Sequence, residues 1–374
     1  MRPLDGLRIA DFTTLLPGPL ATLVLAEAGA EVVKIERPDG GDGMRRYEPL
    51  WGEESVNFAL LNRGKRSIVA NLKDPAQVAH IKNFVAKCDI LIEQFRPGVM
   101  DRLGLGYEAL SKLNPAVIYC SVSGYGQSGP KRHVAAHDLN LVGDAGLLAP
   151  TGLPSCNVIP PTFIADIVGG TYPAVINILM ALRQRDATGQ GCHLDIAMAE
   201  NLFPLVYWAL GERHVQGVQS CRRSLAAGNS PRYQLYETAD NRMVAAAPIE
   251  QKFWDKFCDI IDLDPALRDD SADLAATIHA IQQIIKSKSS SYWSSAFVGH
   301  DCCCSIVATL DEAIADCQFK ERGSFAHKLV NEQGDSQSAL PVPIDPMFRG
   351  SFAETKSAPR LGEYGEAVPP LRMV

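Results

Sequence analysis

The sequence predicts an α/β protein: a doubly wound, mostly parallel sheet forming a Rossmann-like large domain, with a smaller α+β domain inserted late in the chain. Three observations carry this. The opening runs LRIADF (7–12), an apolar helical stretch from Gly18 to Ala28, then EVVKIE (31–36), a β-loop-α-β unit that pairs its strands in parallel. The alternation continues through CDILIEQF (88–95) and AVIYCSVSGYG (116–126), each preceded by a helix-like stretch. Beyond residue 212 the pattern changes to a hairpin followed by helices. Domain limits follow: 1–212 for the first part of the large domain, 213–328 for the small domain, and 329–374 for a tail returning to the large one.

The 374 residues give length for two domains with a sizeable core. A formal net charge of −7 argues against a general nucleic-acid binder, which needs a basic face to displace counterions. Ten cysteines are scattered, and the adjacent Cys302-Cys303-Cys304 cannot converge as tetrahedral ligands from one short segment, so no metal and a reduced, cytoplasmic compartment are expected. MRPLDGLRIADF runs directly into a strand, no uninterrupted apolar run is long enough for a bilayer, and LRMV is not a peroxisomal address; no membrane partner is expected.

The first strand-to-helix turn, TTLLPGPLA, lacks G-x-G-x-x-G, which removes support for hydride chemistry on a dinucleotide. Pro17 or Pro19 suits the first turn of a helix there. Basic residues then recur in turns: Arg37, Arg45 and Arg46 among glycines and acids, then Arg63, Lys65 and Arg66 ahead of a strand from Ser67 to Leu72, then Arg96 and Arg102 around Pro97-Gly98. Such turns grip phosphates or are simply solvated loops. In open α/β sheets ligands bind beyond the carboxyl ends of the strands, where these turns belong.

The candidate chemistry lies between His133 and Gly170. His137 stands at a polar entry to an apolar helical run, and Asp166 follows Phe163-Ile164-Ala165 and precedes Gly169-Gly170, which are expected to let a ligand approach the backbone. The two form a candidate acid/base pair; the competing reading is a helix cap and a structural histidine. Residues 171–184 read as a core helix ending before Gly189, 212–230 as a linker, and 231–254 as a hairpin turning at Ala239-Asp240-Asn241-Arg242. Glu250 opens the helix that carries Phe253 and Trp254, where the helix dipole alone favours an acid. Residues 255–320 read as mostly helical, with a surface turn at 286–291. Met180, Met198, Phe203 and Trp208 suit either an apolar ligand site or, more commonly, ordinary core.

Five segments together carry a family resemblance: the opening LDGLRIADFTTLLPGPLATLVLAEAGAEVVKIERP, LNRGKRSIVANLK, FRPGVMDRLGLGYEAL, SGYGQSGP and APRLGEYGE. The chain resembles the class III CoA-transferase and α-methylacyl-CoA racemase superfamily over nearly its whole length. The resemblance implies an interlocked homodimer and a CoA thioester held over the large domain, with Arg37, Lys65, Arg96 and Arg102 as candidates for its phosphates. It implies no cofactor beyond coenzyme A in the substrate. Asp166 matches the position that transferases use as a nucleophile and racemases as an acid/base. His137 in AHDLN and Glu250 in PIEQKFW resemble the racemase branch, although Ala136 stands for the usual glycine and Gln251 for a proline. Transferases of the superfamily often carry a glycine-rich closing loop; near 215–230 only Gly228 is present. Three activities are implied in descending order: α-methylacyl-CoA racemase-like proton transfer with His137 and Asp166, CoA transfer to a carboxylic acid acceptor through Asp166, and non-catalytic CoA binding.

Overall fold

The computed structural model describes residues 1–148, 159–216, 228–351 and 354–365. The expected linker at 212–230 lies mostly outside them, and so does the tail beyond 365. Within them the chain divides into two units. The described residues of Met1–Ala145, Val158–Pro204 and Cys317–Val374 form one; those of Gly146–Asn157 and Leu205–Asp316 form the other.

The first unit is built on six strands, β1 (Arg8–Phe12), β2 (Glu31–Glu36), β3 (Arg66–Val69), β4 (Ile90–Glu93), β5 (Ile118–Ser123) and β6 (Cys192–Ala197). Every pairing is parallel, and the spatial order is 3-2-1-4-5-6, that of a doubly wound sheet whose winding reverses between β1 and β4. Strands covered on both faces read as near-continuous apolar runs, and β1 is buried along its whole length. Helix α1 (Pro17–Glu27) starts with a proline in its first turn, as the sequence suggested, and all eleven residues are buried. Helices α2 (Val56–Asn62), α3 (Pro75–Val85), α4 (Val99–Arg102), α5 (Tyr107–Leu110) and α6 (Asp138–Asp144) follow the strands as crossovers and caps. A π-helical turn, Ala165–Thr171, runs straight into α7 (Tyr172–Thr188), which ends where Gly189 takes a left-handed conformation.

By length and composition alone the continuous helix Ala165–Thr188 is long and apolar enough to cross a membrane, a test that a buried core helix also passes, and half of its most apolar window is buried inside the protein. The sequence reading had found no uninterrupted apolar run of that length; Thr171 and Asn177 interrupt this one without stopping the helix. Ala174, Ile178, Ala181 and Leu182 form its buried stripe, as expected of a core helix. The tail returns to this unit: Gly64 N–H donates to Ser357 O (2.9 Å) and Tyr364 N–H to Ser67 O (3.2 Å).

The second unit contains the expected hairpin, β7 (Gln234–Glu237) with β8 (Met243–Ala246), antiparallel with Met243 opposite Glu237. Its turn places Asn241 at φ 59°, a conformation asparagine tolerates. A third strand, β9 (Cys304–Ile306), joins β8. Helix α8 (Tyr207–Gln216) comes before this sheet in the chain. Helices α9 (Gln251–Ile261), α10 (Leu274–Lys286) and α11 (Ser290–Phe297) close a core around Trp254, Phe257, Ile281 and Trp293.

Candidate functional site

The reversal point of the sheet is where ligands bind in such folds, and here it is tied together by side chains. Gly18 N–H, in the first turn of α1 where the loop after β1 ends, donates to Gln94 Oε1 just beyond β4 (3.1 Å). Beneath that loop four charged side chains are fully buried: Asp11, Lys34, Asp42 and Lys65. Asp11 accepts Thr13 N–H (2.9 Å) and Thr22 Oγ1–H (2.7 Å). Lys34 Nζ donates to Thr13 O (2.6 Å) and pairs with Asp42 at 3.0 Å, and Asp42 accepts Leu15 N–H at 3.0 Å. Leu15 has φ 62°, a left-handed conformation costly for a side chain with a Cβ. The loop keeps it because its backbone groups are held by buried charges on both sides.

This network corrects the assignment of Lys65 to CoA phosphates. Its ammonium donates to Pro19 O and Asn62 Oδ1, both at 2.8 Å, and lies 3.4 Å from Asp11. Burial pushes its pKa down to about 7, with repulsion from Lys34 adding to the fall and the Asp11 carboxylate opposing it. The basic pair Arg45 and Arg63 is also internal. Arg45 bonds Glu36 and Glu54 and lies 3.8 Å over the Phe58 ring, and Arg63 bonds Glu27 at 2.9 Å. An acid inside an otherwise apolar strand, as in EVVKIE, was the signal that such partners existed.

Arg37, Arg96 and Arg102 do reach solvent. Arg37 donates to Gly41 O (2.9 Å). Arg96 lines a cavity of about 430 Å³ with Glu93, Tyr119, Ser121 and His193. There Ser121 Oγ and His193 Nε2 are 3.0 Å apart, and burial pushes the Glu93 carboxyl up to about 7. The sequence reading missed Glu93, although an acid ending an apolar strand could have marked it.

Asp166 occupies the first turn of the π-helical segment. That segment docks on the reversal point, with Thr171 Oγ1–H donating to Pro17 O (2.8 Å) and Asn201 Nδ2–H to Gly169 O (2.9 Å). The glycine pair serves this packing rather than ligand approach. A Cβ on Gly169 would stand 2.4 Å from Met198 O, and one on Gly170 would stand 2.9 Å from Met198 Sδ and 3.0 Å from Pro17 Cβ. The expectation that these glycines open the backbone to a ligand is therefore wrong. They let Asp166's helix close onto the turn after β6.

Asp166 is tied to α6 through the residue that follows His137. His137 is the exposed N-cap residue of α6, with its N–H donating to Asn140 Oδ1 (3.0 Å). Its neighbour Asp138 accepts the backbone N–H of Asp166 on Oδ1 at 2.9 Å. The Asp166 side chain is partly buried, and among the described residues no cation or donor touches its carboxylate. Burial pushes that carboxyl up to about 7, with the Asp138 carboxylate adding to the rise. A carboxyl that holds or yields a proton near neutrality is suited to acid/base work. Glu250, the exposed N-cap residue of α9, stands in the second unit. Met198 is buried, whereas Met180, Phe203 and Trp208 are exposed, so these four do not form the single buried cluster of an ordinary core.

Residues 4–364 match the sequence model of CoA-transferase family III. The acetyl-CoA:oxalate CoA-transferase of Acetobacter aceti is 33% identical over 98% of this chain and 95% of its own length. The α-methylacyl-CoA racemase of Homo sapiens is 32% identical over 98% and 92%. A CaiB/BaiF family protein from Brucella suis superimposes with a TM-score of 0.81 at 27% identity, covering 97% of each chain. With the doubly wound sheet, the reversal-point loop and a poised carboxyl in place, the chain is an enzyme of CoA-transferase family III, whose members include both CoA-transferases and acyl-CoA racemases.

Proposed function

We propose that this enzyme moves a proton at the carbon next to the carbonyl of an acyl-CoA thioester, as an α-methylacyl-CoA racemase does. The observation that carries the reading is Asp166: a partly buried carboxyl at about 7, without a cation among the described residues, bonded through its backbone to the residue beside His137. Inversion needs one group to take the proton from one face and another to return it to the opposite face. Neutral His137 takes it while protonated Asp166 gives it, and the roles exchange in the reverse direction. Backbone N–H groups at the start of α6 suit the enolate oxygen, where one donor is worth about 3–4 kcal/mol of barrier. In this reading Arg37, Arg96 and Arg102 hold the phosphates of CoA.

A second reading has specific support in the relatives, among them an acetyl-CoA:oxalate and a succinyl-CoA:glutarate CoA-transferase. In it the ionised Asp166 carboxylate attacks the thioester carbonyl and CoA thiolate leaves. The thiolate then displaces the acid from the mixed anhydride, giving an enzyme thioester that an acceptor acid consumes. The test is NMR in heavy water with a 2-methylacyl-CoA and no acceptor acid. Deuterium entering the α-carbon with loss of stereochemical purity is the expected result. Absence of exchange, with hydroxylamine or borohydride trapping an adduct on Asp166, would replace it with the transferase reading.

The acting form in this proposal is a homodimer. Ile176, Leu179 and Met180 on α7 are 49%, 45% and 64% exposed, an apolar stripe that a second copy would cover. Light scattering giving twice the 40.6 kDa chain mass is expected, and a monomer at micromolar concentration would remove this part.

A further inference from the structure

Asp138 makes a contact that the two-base reading does not require. Its carboxylate, from the first residue of α6, crosses to another segment and accepts the backbone N–H of Asp166 at 2.9 Å. An N–H in the first turn of a helix has no partner within that helix, so this bond fixes where the Asp166 helix begins. The same contact brings the Asp138 charge close to the Asp166 residue. Like charges at such range disfavour the ionised form of the more buried one.

We propose that Asp138 is a positioning residue for Asp166: its carboxylate pins the start of the Asp166 helix through the Asp166 N–H and places a negative charge near the acid. The assignment deepens the acyl-CoA reading and rests on it for its consequence in turnover. The surroundings leave Asp138 as the charge that acts. On α6, Asp144 is engaged by Lys131 at 2.6 Å and Tyr125 at 2.7 Å. On α1, Glu27 lies at the far end, bonded to Arg63. The turn after β6 carries Glu200 and presents Met198, Asn201 and Leu202 to this helix. The charges of α7 begin at Arg183, about 25 Å along the axis from Asp166. Among the described residues only burial and Asp138 shift the Asp166 carboxyl, in that order, and His137, on the same turn as Asp138, is exposed.

The test uses the full chain carrying ¹³C-carboxyl aspartate, with the spectrum of Asp166→Asn identifying the Asp166 signal. Asp138→Asn keeps an oxygen for the Asp166 N–H and removes the charge, and the Asp166 midpoint should fall by roughly one unit. Asp138→Ala should give the same fall and, in addition, faster hydrogen exchange of the Asp166 amide. With active enzyme, the pH profile of α-proton exchange should move with the midpoint in Asp138→Asn, a change that a merely structural role would not produce. An unchanged midpoint in both variants would overturn the proposal. A midpoint that falls in an enzyme exchanging no α-proton keeps this assignment and removes the racemase reading instead.

Discussion

Two clusters of acids lie within one loop's reach of the sheet's reversal point, and they are built in opposite ways. Under the loop after β1, Asp11 and Asp42 are fully buried, and each faces an ammonium and backbone N–H groups. Burial alone would raise the Asp11 carboxyl, but Lys34 and Lys65 outweigh it and hold it below the usual carboxylate range. Asp166 is less buried, has no such partner among the described residues, and moves the other way, up to about 7. A charge that is paired shapes the backbone around it. A carboxyl left without a cation next to another carboxylate is costly to keep ionised and is useful only where protons move. The contrast separates the charges that hold the loop from the one proposed to move a proton.

Replacing Asp166 sharpens this most. Asp166→Asn should lower α-proton exchange on the order of 10³-fold while leaving the fold intact, since no partner is orphaned. The same variant tests the pH behaviour. The folded carboxyl keeps its proton up to about 7 and the unfolded one loses it near 3.8, so the folded state binds more protons in between. Stability therefore falls as pH rises from about 4 to about 7, and urea midpoints of Asp166→Asn should lack that fall. Asp11, Glu27 and Glu36, held low by their cations, work in reverse: their stabilisation is present above the ordinary carboxylate range and is lost as pH drops below it.

Lys34→Met should break the comparison from the other side. It orphans Asp42 and the Thr13 carbonyl, and loss of one member of a buried pair costs about 3–5 kcal/mol, measurable by chemical unfolding. If Lys34→Met is neutral, the paired cluster does not hold the loop. Gly169→Ala forces a Cβ against Met198 O; overpacking of this kind costs about 1–3 kcal/mol, and thermal unfolding should register it together with reduced turnover. Arg102→Ala is the smallest change. This exposed side chain should alter stability by less than about 0.5 kcal/mol and raise KM for the thioester about tenfold, equal to about 1.4 kcal/mol.

Much of this was legible in the residues. The strands of the first half stand out because a parallel sheet covered on both faces demands apolar runs, and Gly189 marks the end of α7 because a left-handed residue is needed there. Asp166 and His137 could be singled out as an acid and a base amid small and apolar neighbours. The basic turns misled the reading at Lys65, since a sequence shows a cation and not the Asp11, Asn62 and Pro19 oxygens that enclose it. Gly169 and Gly170 misled it in the same way, because a missing side chain leaves room equally for a ligand or for Met198.

The sequence by itself determined the alternation of strands and helices, the proline start of α1 and the hairpin around Asn241, because each depends on local conformational preference. The tertiary structure decided the strand order and the enclosure of Lys65. It also decided the use of the glycine pair and the placing of Asp138 against Asp166, since these are contacts between segments far apart in the chain and set by packing.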